Sequence, residues 1–263
     1  MDLQLANKLA LISGSTAGIG YAIAETLAAE GARVIVNGRT QNGVDAALAS
    51  IRKATGKESV GFAGDLSEAA TADALVKKHP GIEILVNNLG IFEAKAFEDI
   101  PDVDWVRFFE VNVLSGARLA RLVLPAMRRA NWGRIIFISS ESGVHIPAEM
   151  VHYGMTKAAQ IAVARGIAET VAGTGITVNS VLPGPTRSRG VGDFVEQLAR
   201  EQGKTGAQVE KEFFAHVRPT SLIKRFSNTQ EVAAMVAYVA SPLASSTTGA
   251  ALRVDGGTVK SAF

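Results

Sequence analysis

Cysteine is absent from the 263-residue chain, which removes disulfides and thiolate chemistry and fits a reducing compartment. Histidine is scarce. His79, His145, His152 and His216 form no H-x-x-x-H or similar pair, so no zinc or other metal site is expected. There is no long Lys/Arg run; charges of both signs are interspersed and the formal net charge is +2, which leaves no electrostatic footprint for nucleic acid. No apolar run approaches the roughly eighteen residues that cross a bilayer. Met1–Leu5 has neither the basic patch nor the apolar stretch of a signal peptide. The expected setting is cytoplasmic, with no membrane or nucleic-acid partner.

What is present is a large apolar fraction, 47% of residues against 20% charged, enough for one sizeable core. Short β-branched runs alternate with Ala-rich amphipathic stretches from end to end. Lys8–Ser13, Arg33–Asn37, Ser59–Ala63, Ile82–Asn87, Arg134–Ser139, Ile176–Leu182 and Ala251–Val254 read as strands. Helices are expected near 18–30, 42–54, 67–79, 102–129, 153–172 and 229–240. The strands are continuous apolar runs, as in strands covered on both faces. Such alternation argues for an α/β fold, a parallel sheet wound by right-handed crossovers. A single domain over 1–263 is expected. From Thr186 to Phe226 the rhythm breaks for about forty residues, with helix-prone stretches at Val191–Gln202 and Thr205–His216. A segment this long reads as a substrate lid or as an inserted helical cap.

After the first strand comes Gly14-Ser15-Thr16-Ala17-Gly18-Ile19-Gly20, opening a helix at once. The spacing is G-x-x-x-G-x-G, not G-x-G-x-x-G, but the physics is shared: glycines let the backbone approach a pyrophosphate resting on a helix N-terminus. At the end of the second strand an NAD site normally carries Asp or Glu. This chain has Asn37-Gly38-Arg39-Thr40 instead. Nothing there repels a 2′-phosphate, and Arg39 offers a fork of donors to one, so NADP(H) is preferred and NAD(H) remains open.

Tyr153 and Lys157 are four residues apart, on one face of the expected helix. A free tyrosine titrates near ~10. A neighbouring ammonium favours the phenolate, so a Tyr153 phenol lowered by Lys157 is expected to act as acid and base toward a carbonyl or alcohol oxygen.

These pieces, taken with Asp65-Leu66, Asn87-Asn88-Leu89-Gly90, Asn112, Ser139-Ser140, Val178–Gly184 and Val254–Gly257, resemble the short-chain dehydrogenase/reductase superfamily over nearly the whole chain. The resemblance implies a doubly wound Rossmann-type seven-stranded sheet and a catalytic set of Asn112, Ser140, Tyr153 and Lys157. It implies that Lys157 also holds the nicotinamide ribose, that Ser140 rather than Ser139 binds the substrate oxygen, and that Asn112, in the long fourth helix, holds a water linking Lys157 to solvent. On the cofactor side it implies Gly14, Ser15, Thr16, Gly18, Ile19 and Gly20 at the phosphates, Arg39 at the ribose, and Asp65 and Leu66 at the adenine. Asn88 and Gly90 would adjoin the adenosine ribose, and Pro183, Gly184 and Thr186 the nicotinamide. Ser13 and Leu89 depart from the family's usual Thr and Ala.

The leading expectation is an NADP(H)-dependent oxidoreductase interconverting a small-molecule ketone and a secondary alcohol. Phe194, Phe213, Phe214, Ile91 and Phe92 suggest either an apolar substrate compartment or internal packing of the lid. The alternative is a 3-oxoacyl-[acyl-carrier-protein] reductase, for which Arg128 and Arg129 would form part of a basic landing patch. A non-catalytic dinucleotide sensor is the third reading. The family's habit and the apolar faces of 102–129 and 153–172 lean toward a homo-oligomer, a tetramer or dimer.

Overall fold

The computed structural model describes residues 1–262, apart from the side chains at 189, 193, 194, 197 and 198 and Gly190. In chain order its elements begin with β1 (Leu9–Ile12), α1 (Gly18–Ala29), β2 (Arg33–Gly38), α2 (Gln41–Thr55), β3 (Val60–Ala63), α3 (Ala69–Lys78) and β4 (Ile84–Asn87). There follow α4 (Asp102–Phe109), α5 (Ser115–Ala130), β5 (Gly133–Ile138), α6 (Val151–Thr170) and β6 (Ile176–Pro183). The chain closes with β7 (Thr186–Arg187), α7 (Arg189–Glu201), α8 (Gly206–Glu212), β8 (Ser227–Asn228), α9 (Thr229–Ala240) and β9 (Ala251–Val254).

Seven strands form one parallel sheet in the order β3-β2-β1-β4-β5-β6-β9, the doubly wound α/β arrangement expected from the alternation. Strand residues divide between its two faces with period two. Ala10, Ile12, Val34, Val36, Ile84 and Val86 enter one core cluster with α1 and α9 residues such as Ile23, Leu27, Val232 and Val236. Leu9, Leu11, Ile35, Leu85, Ile135 and Phe137 enter the other, against Leu75 of α3, Leu119 and Val123 of α5, and Ala164 of α6. Each fully buried aliphatic side chain contributes about 1.5–3 kcal/mol. Both faces are covered, which is why the strands read as continuous apolar runs.

Three local features differ from the sequence reading. The stretch 102–129 is not one helix: a π turn, Glu110–Leu114, joins α4 to α5 and carries Asn112. One widened turn inserts a residue without altering the apolar stripe, so periodicity does not reveal it. Helix α6 starts at Val151, two residues before Tyr153. A two-residue parallel pair, β7 with β8, closes the base of the 186–226 segment.

Within that segment the helices fall close to their expected places, α8 being started by a capping box between Thr205 and Gln208 and continued by a π turn over Phe213–Val217. Val195, Ala199, Val209, Phe214 and Phe226 form a small core of their own. Among the described residues no helix is long and apolar enough to cross a membrane, and no His/Asp/Glu group could hold a metal ion.

Candidate active site

Strand order reverses on either side of β1, which pairs with β2 and β4. In open parallel sheets the crevice at such a point, beyond the carboxyl ends of the strands, is where ligands bind. The expected site residues emerge there: Gly14 after β1, Arg39 after β2, Asp65 after β3, Asn88 and Gly90 after β4, Ser140 after β5 and Gly184 after β6.

The β1–α1 turn is held from below. Asn37 accepts from the Gly14 amide at 3.0 Å and donates to the Phe62 and Gly64 carbonyls at 3.1 and 3.0 Å. Ser15 is buried, donating to the Ile12 carbonyl at 2.8 Å and accepting from the Asn37 amide at 2.9 Å, so its hydroxyl serves the scaffold. Asn88 donates to the carbonyls of Ser13 and Gly14, both at 3.0 Å. A methyl at Gly20 would lie 2.4 Å from the Asn88 amide nitrogen and 2.5 Å from the Gly14 carbonyl oxygen, so only glycine allows helix and turn to approach this closely. The residue before α1, Ala17, supplies no side-chain cap, and the first-turn amides at Gly18, Ile19 and Gly20 keep their anion-binding character. Thr16 stands against Gly38. Arg39 is exposed and makes no ion pair among the described residues. The turn therefore fits a dinucleotide pyrophosphate, and the exposed Arg39 guanidinium stands just after the end of β2.

Other cofactor-side expectations divide. Asp65 Oδ1 accepts from the Ser67 amide and hydroxyl at 2.9 and 2.6 Å, an arrangement that shapes the turn into α3. Leu66 is core. Pro183 ends β6, Thr186 donates to the Gly184 carbonyl at 2.9 Å, and Gly184 lies against the Asp255 backbone. Leu89 packs on the second core cluster. Ser13 keeps the work of a hydroxyl: its Oγ accepts from the Asn88 and Leu89 amides, each at 3.0 Å.

Asn112, Ser140, Tyr153 and Lys157 converge opposite this cradle. Asn112 is buried, its Oδ1 accepting from the Ile91 amide at 2.7 Å and its Nδ2 donating to the Ile91 carbonyl and Thr156 Oγ1 at 3.0 and 2.9 Å. Lys157 Nζ donates to the Ile138 carbonyl and to Gln160 Oε1, both at 3.0 Å. It also lies 5.5 Å from the centre of the Tyr153 ring, and Phe92 meets that ring edge-on at 6.3 Å. Ser139 donates to the Lys157 carbonyl at 2.8 Å and so braces the helix. Ser140 accepts from the Ser142 amide at 3.0 Å and donates to Glu141 Oε2 at 2.5 Å.

The electrostatics run opposite to the expectation from Tyr153 and Lys157 alone. Burial pushes the Tyr153 phenol above its ordinary value and the Glu141 charge pushes the same way, while Ser140 and Arg218 oppose them. Burial also brings Lys157 down to about 7, against the pull of Glu141. A lysine whose charged form is disfavoured by burial, its nitrogen turned to Ile138 and Gln160, does not lower the phenol.

Three residues of this site carried no expectation. Glu141 is buried beside Ser140, and its other oxygen lies 3.5 Å from Arg218 Nε. Arg218, which follows the Phe213–Val217 turn, also pairs with Glu149 at 2.9 Å. Gln160 accepts from Lys157 and donates to the Asn112 backbone carbonyl at 2.5 Å, so one side chain links the two residues. Gln160 was findable, lying three residues from Lys157 and seven from Tyr153 on one helix face. Arg218 had no local signal. Of the aromatic residues suggested for a substrate compartment or for lid packing, Phe213 and Phe214 pack with Phe226, the rings 5.0–5.1 Å apart, while Phe92 is exposed beside Tyr153. The Phe194 side chain lies outside the described residues.

A family profile described as enoyl-(acyl carrier protein) reductase matches residues 14–259. The chain is similar to the uncharacterized oxidoreductase YvrD of Bacillus subtilis (strain 168), 47% identical over 99% of this chain and 100% of that one. It is 35% identical to D-beta-hydroxybutyrate dehydrogenase of Cupriavidus necator, over 97% of this chain and 99% of that one. The structure of L-sorbose reductase from Gluconobacter frateurii, complexed with NADPH and L-sorbose, superposes with a TM-score of 0.94 at 30% identity, covering 99% of this chain and 100% of that one.

Proposed function

The chain belongs to the short-chain dehydrogenase/reductase superfamily, and on that premise we propose that it interconverts a ketone and a secondary alcohol with NADP(H), Tyr153 carrying the proton. An oxidoreductase acting on CH–OH and C=O groups is the coarser statement that the relatives support. The preference for NADP(H) rests on Arg39 at the end of β2, where no carboxylate stands, and on the NADPH carried by the sorbose reductase structure.

The single observation that carries the reading is that Tyr153 and Lys157 share one face of α6, the Lys157 nitrogen 5.5 Å from the ring centre, with the Ser139–Gly143 stretch packed against that helix. NADPH, when bound, supplies the hydride that the carbonyl carbon receives. Tyr153, held protonated by burial, stands ready as the acid toward the carbonyl oxygen. Ser140 steadies that same oxygen as negative charge gathers on it. Lys157 is positioned for the ribose hydroxyls and, through Gln160 and Asn112, is fixed to the π turn.

Glu141 and Glu149 both face Arg218, and Lys157 feels the charge of Glu141, so charges of both signs surround Ser140. For an acyl-carrier substrate, Arg128, which donates to the Thr170 carbonyl at 2.7 Å and keeps its charge, and Arg129 would supply the landing patch. The test is loss of NADPH absorbance across a panel of neutral ketones, with Tyr153→Phe expected to fall by roughly a hundredfold or more. A wild-type rate no greater than that of Tyr153→Phe refutes the reading.

A further inference from the structure

The nearest donor to the Glu141 carboxylate is the hydroxyl proposed to hold the substrate. Ser140 Oγ lies 2.5 Å from Glu141 Oε2, whereas Arg218 Nε lies 3.5 Å from Oε1 and the shorter Arg218 bonds, both 2.9 Å, run from Nη1 to Glu149 and the Val217 carbonyl. Glu141 is 5% exposed. A serine hydroxyl has one proton to donate. While that proton points at Glu141, it is not available to a carbonyl oxygen; once it turns away, a buried carboxylate loses its closest donor, which is costly.

A substrate resolves this conflict if it brings a donor of its own. Oxygens on adjacent carbons lie roughly 2.8 Å apart, close to a hydrogen-bond length. A ketone whose carbonyl oxygen sits at Ser140 and Tyr153 therefore places a hydroxyl on the next carbon within reach of Glu141 Oε2. We propose that Glu141 is a specificity-determining residue that selects ketones bearing a hydroxyl on the carbon next to the carbonyl, by accepting that hydroxyl's proton in place of Ser140's. The proposal rests on the ketone-reductase reading. In the reaction the carbonyl carbon gains a hydride from NADPH, which leaves as NADP+, and the carbonyl oxygen gains the Tyr153 proton, later restored from solvent. The product is a vicinal diol, and Glu141 takes no part in the bond changes.

Three probes separate the hydroxyl from its inductive effect: 1-hydroxy-2-butanone, 1-methoxy-2-butanone and 2-butanone. The methoxy ketone keeps the electron withdrawal and has no proton to give. Wild-type kcat/KM should favour the hydroxy over the methoxy ketone by roughly ten- to a hundredfold, and Glu141→Ala should bring that ratio toward one. Glu141→Gln, whose amide oxygen still accepts but without charge, should fall between. Folding is checked by NADPH binding and the melting temperature of each variant; if Glu141→Ala fails that check, Glu141→Gln carries the test. A hydroxy-to-methoxy ratio near one in wild type, or a large ratio that the folded variants retain, overturns the proposal. If no ketone is reduced although NADPH binds, the reductase reading itself has failed, and this proposal with it.

Discussion

Lys157 Nζ and the Gln160 side-chain oxygen lie 3.0 Å apart on one face of α6. Gln160 also reaches the Asn112 carbonyl, so the glutamine couples the lysine to the π turn. Gln160→Leu removes an acceptor from a buried ammonium and should move the Lys157 pKa further below 7. Gln160→Glu places a carboxylate there and should raise it. With the ammonium as the working form in ketone reduction, reductive activity falls as pH rises through that value. The alkaline limb of kcat/KM at saturating NADPH should thus move to lower pH in the first variant and to higher pH in the second. A limb that stays put in both contradicts this coupling.

The two adjacent serines should fail differently. Ser140→Ala is expected to lower kcat by roughly a hundredfold, through loss of a donor at the developing oxyanion. Ser139→Ala breaks the 2.8 Å bond to the Lys157 carbonyl and should cost about 1 kcal/mol of stability, with a much smaller kinetic effect. Steady-state kinetics beside thermal melts would distinguish them; equal kinetic losses would count against the assignment.

A phenol held above its ordinary pKa sets opposite pH demands on the two directions. Ketone reduction uses the protonated form, which is present throughout the neutral range. Alcohol oxidation uses the phenolate, whose population grows about tenfold per pH unit below the pKa. Oxidation kcat/KM should climb from roughly pH 7 to 10 without levelling. Glu141→Gln removes a charge that raises the phenol and should bring the levelling to lower pH. A wild-type plateau by about pH 8 would show a phenol that is lowered instead.

Arg39 should decide the dinucleotide. Arg39→Ala is expected to raise the KM for NADPH by roughly tenfold or more while leaving that for NADH nearly unchanged. Parallel titrations with the two reduced cofactors measure this. Equal changes for both would remove Arg39 from the 2′-phosphate site.

The sheet was legible because both its faces are covered. The strands at Ile84–Asn87 and Arg134–Ser139 announce themselves as apolar runs, and glycines mark the first crossover. The reacting groups were legible as spacings on one helix or as residues following a strand. What escaped was contact across distance: Arg218 reaches Glu141 over 77 positions of chain (218 minus 141), and no local pattern encodes that. The π turn escaped because one added residue leaves the apolar stripe intact. The direction of the phenol shift escaped because burial, not the neighbouring lysine, is its largest cause, and burial is a property of the assembled fold.

Gly143 lies against helix α6 so closely that a methyl there would meet the Lys157 carbonyl carbon at 2.8 Å. The turn that carries Ser140, Glu141 and Gly143 is thus packed directly against the helix that carries Tyr153 and Lys157. On warming, competence and architecture should vanish in one cooperative step, with the midpoint for inactivation coinciding with the midpoint for melting.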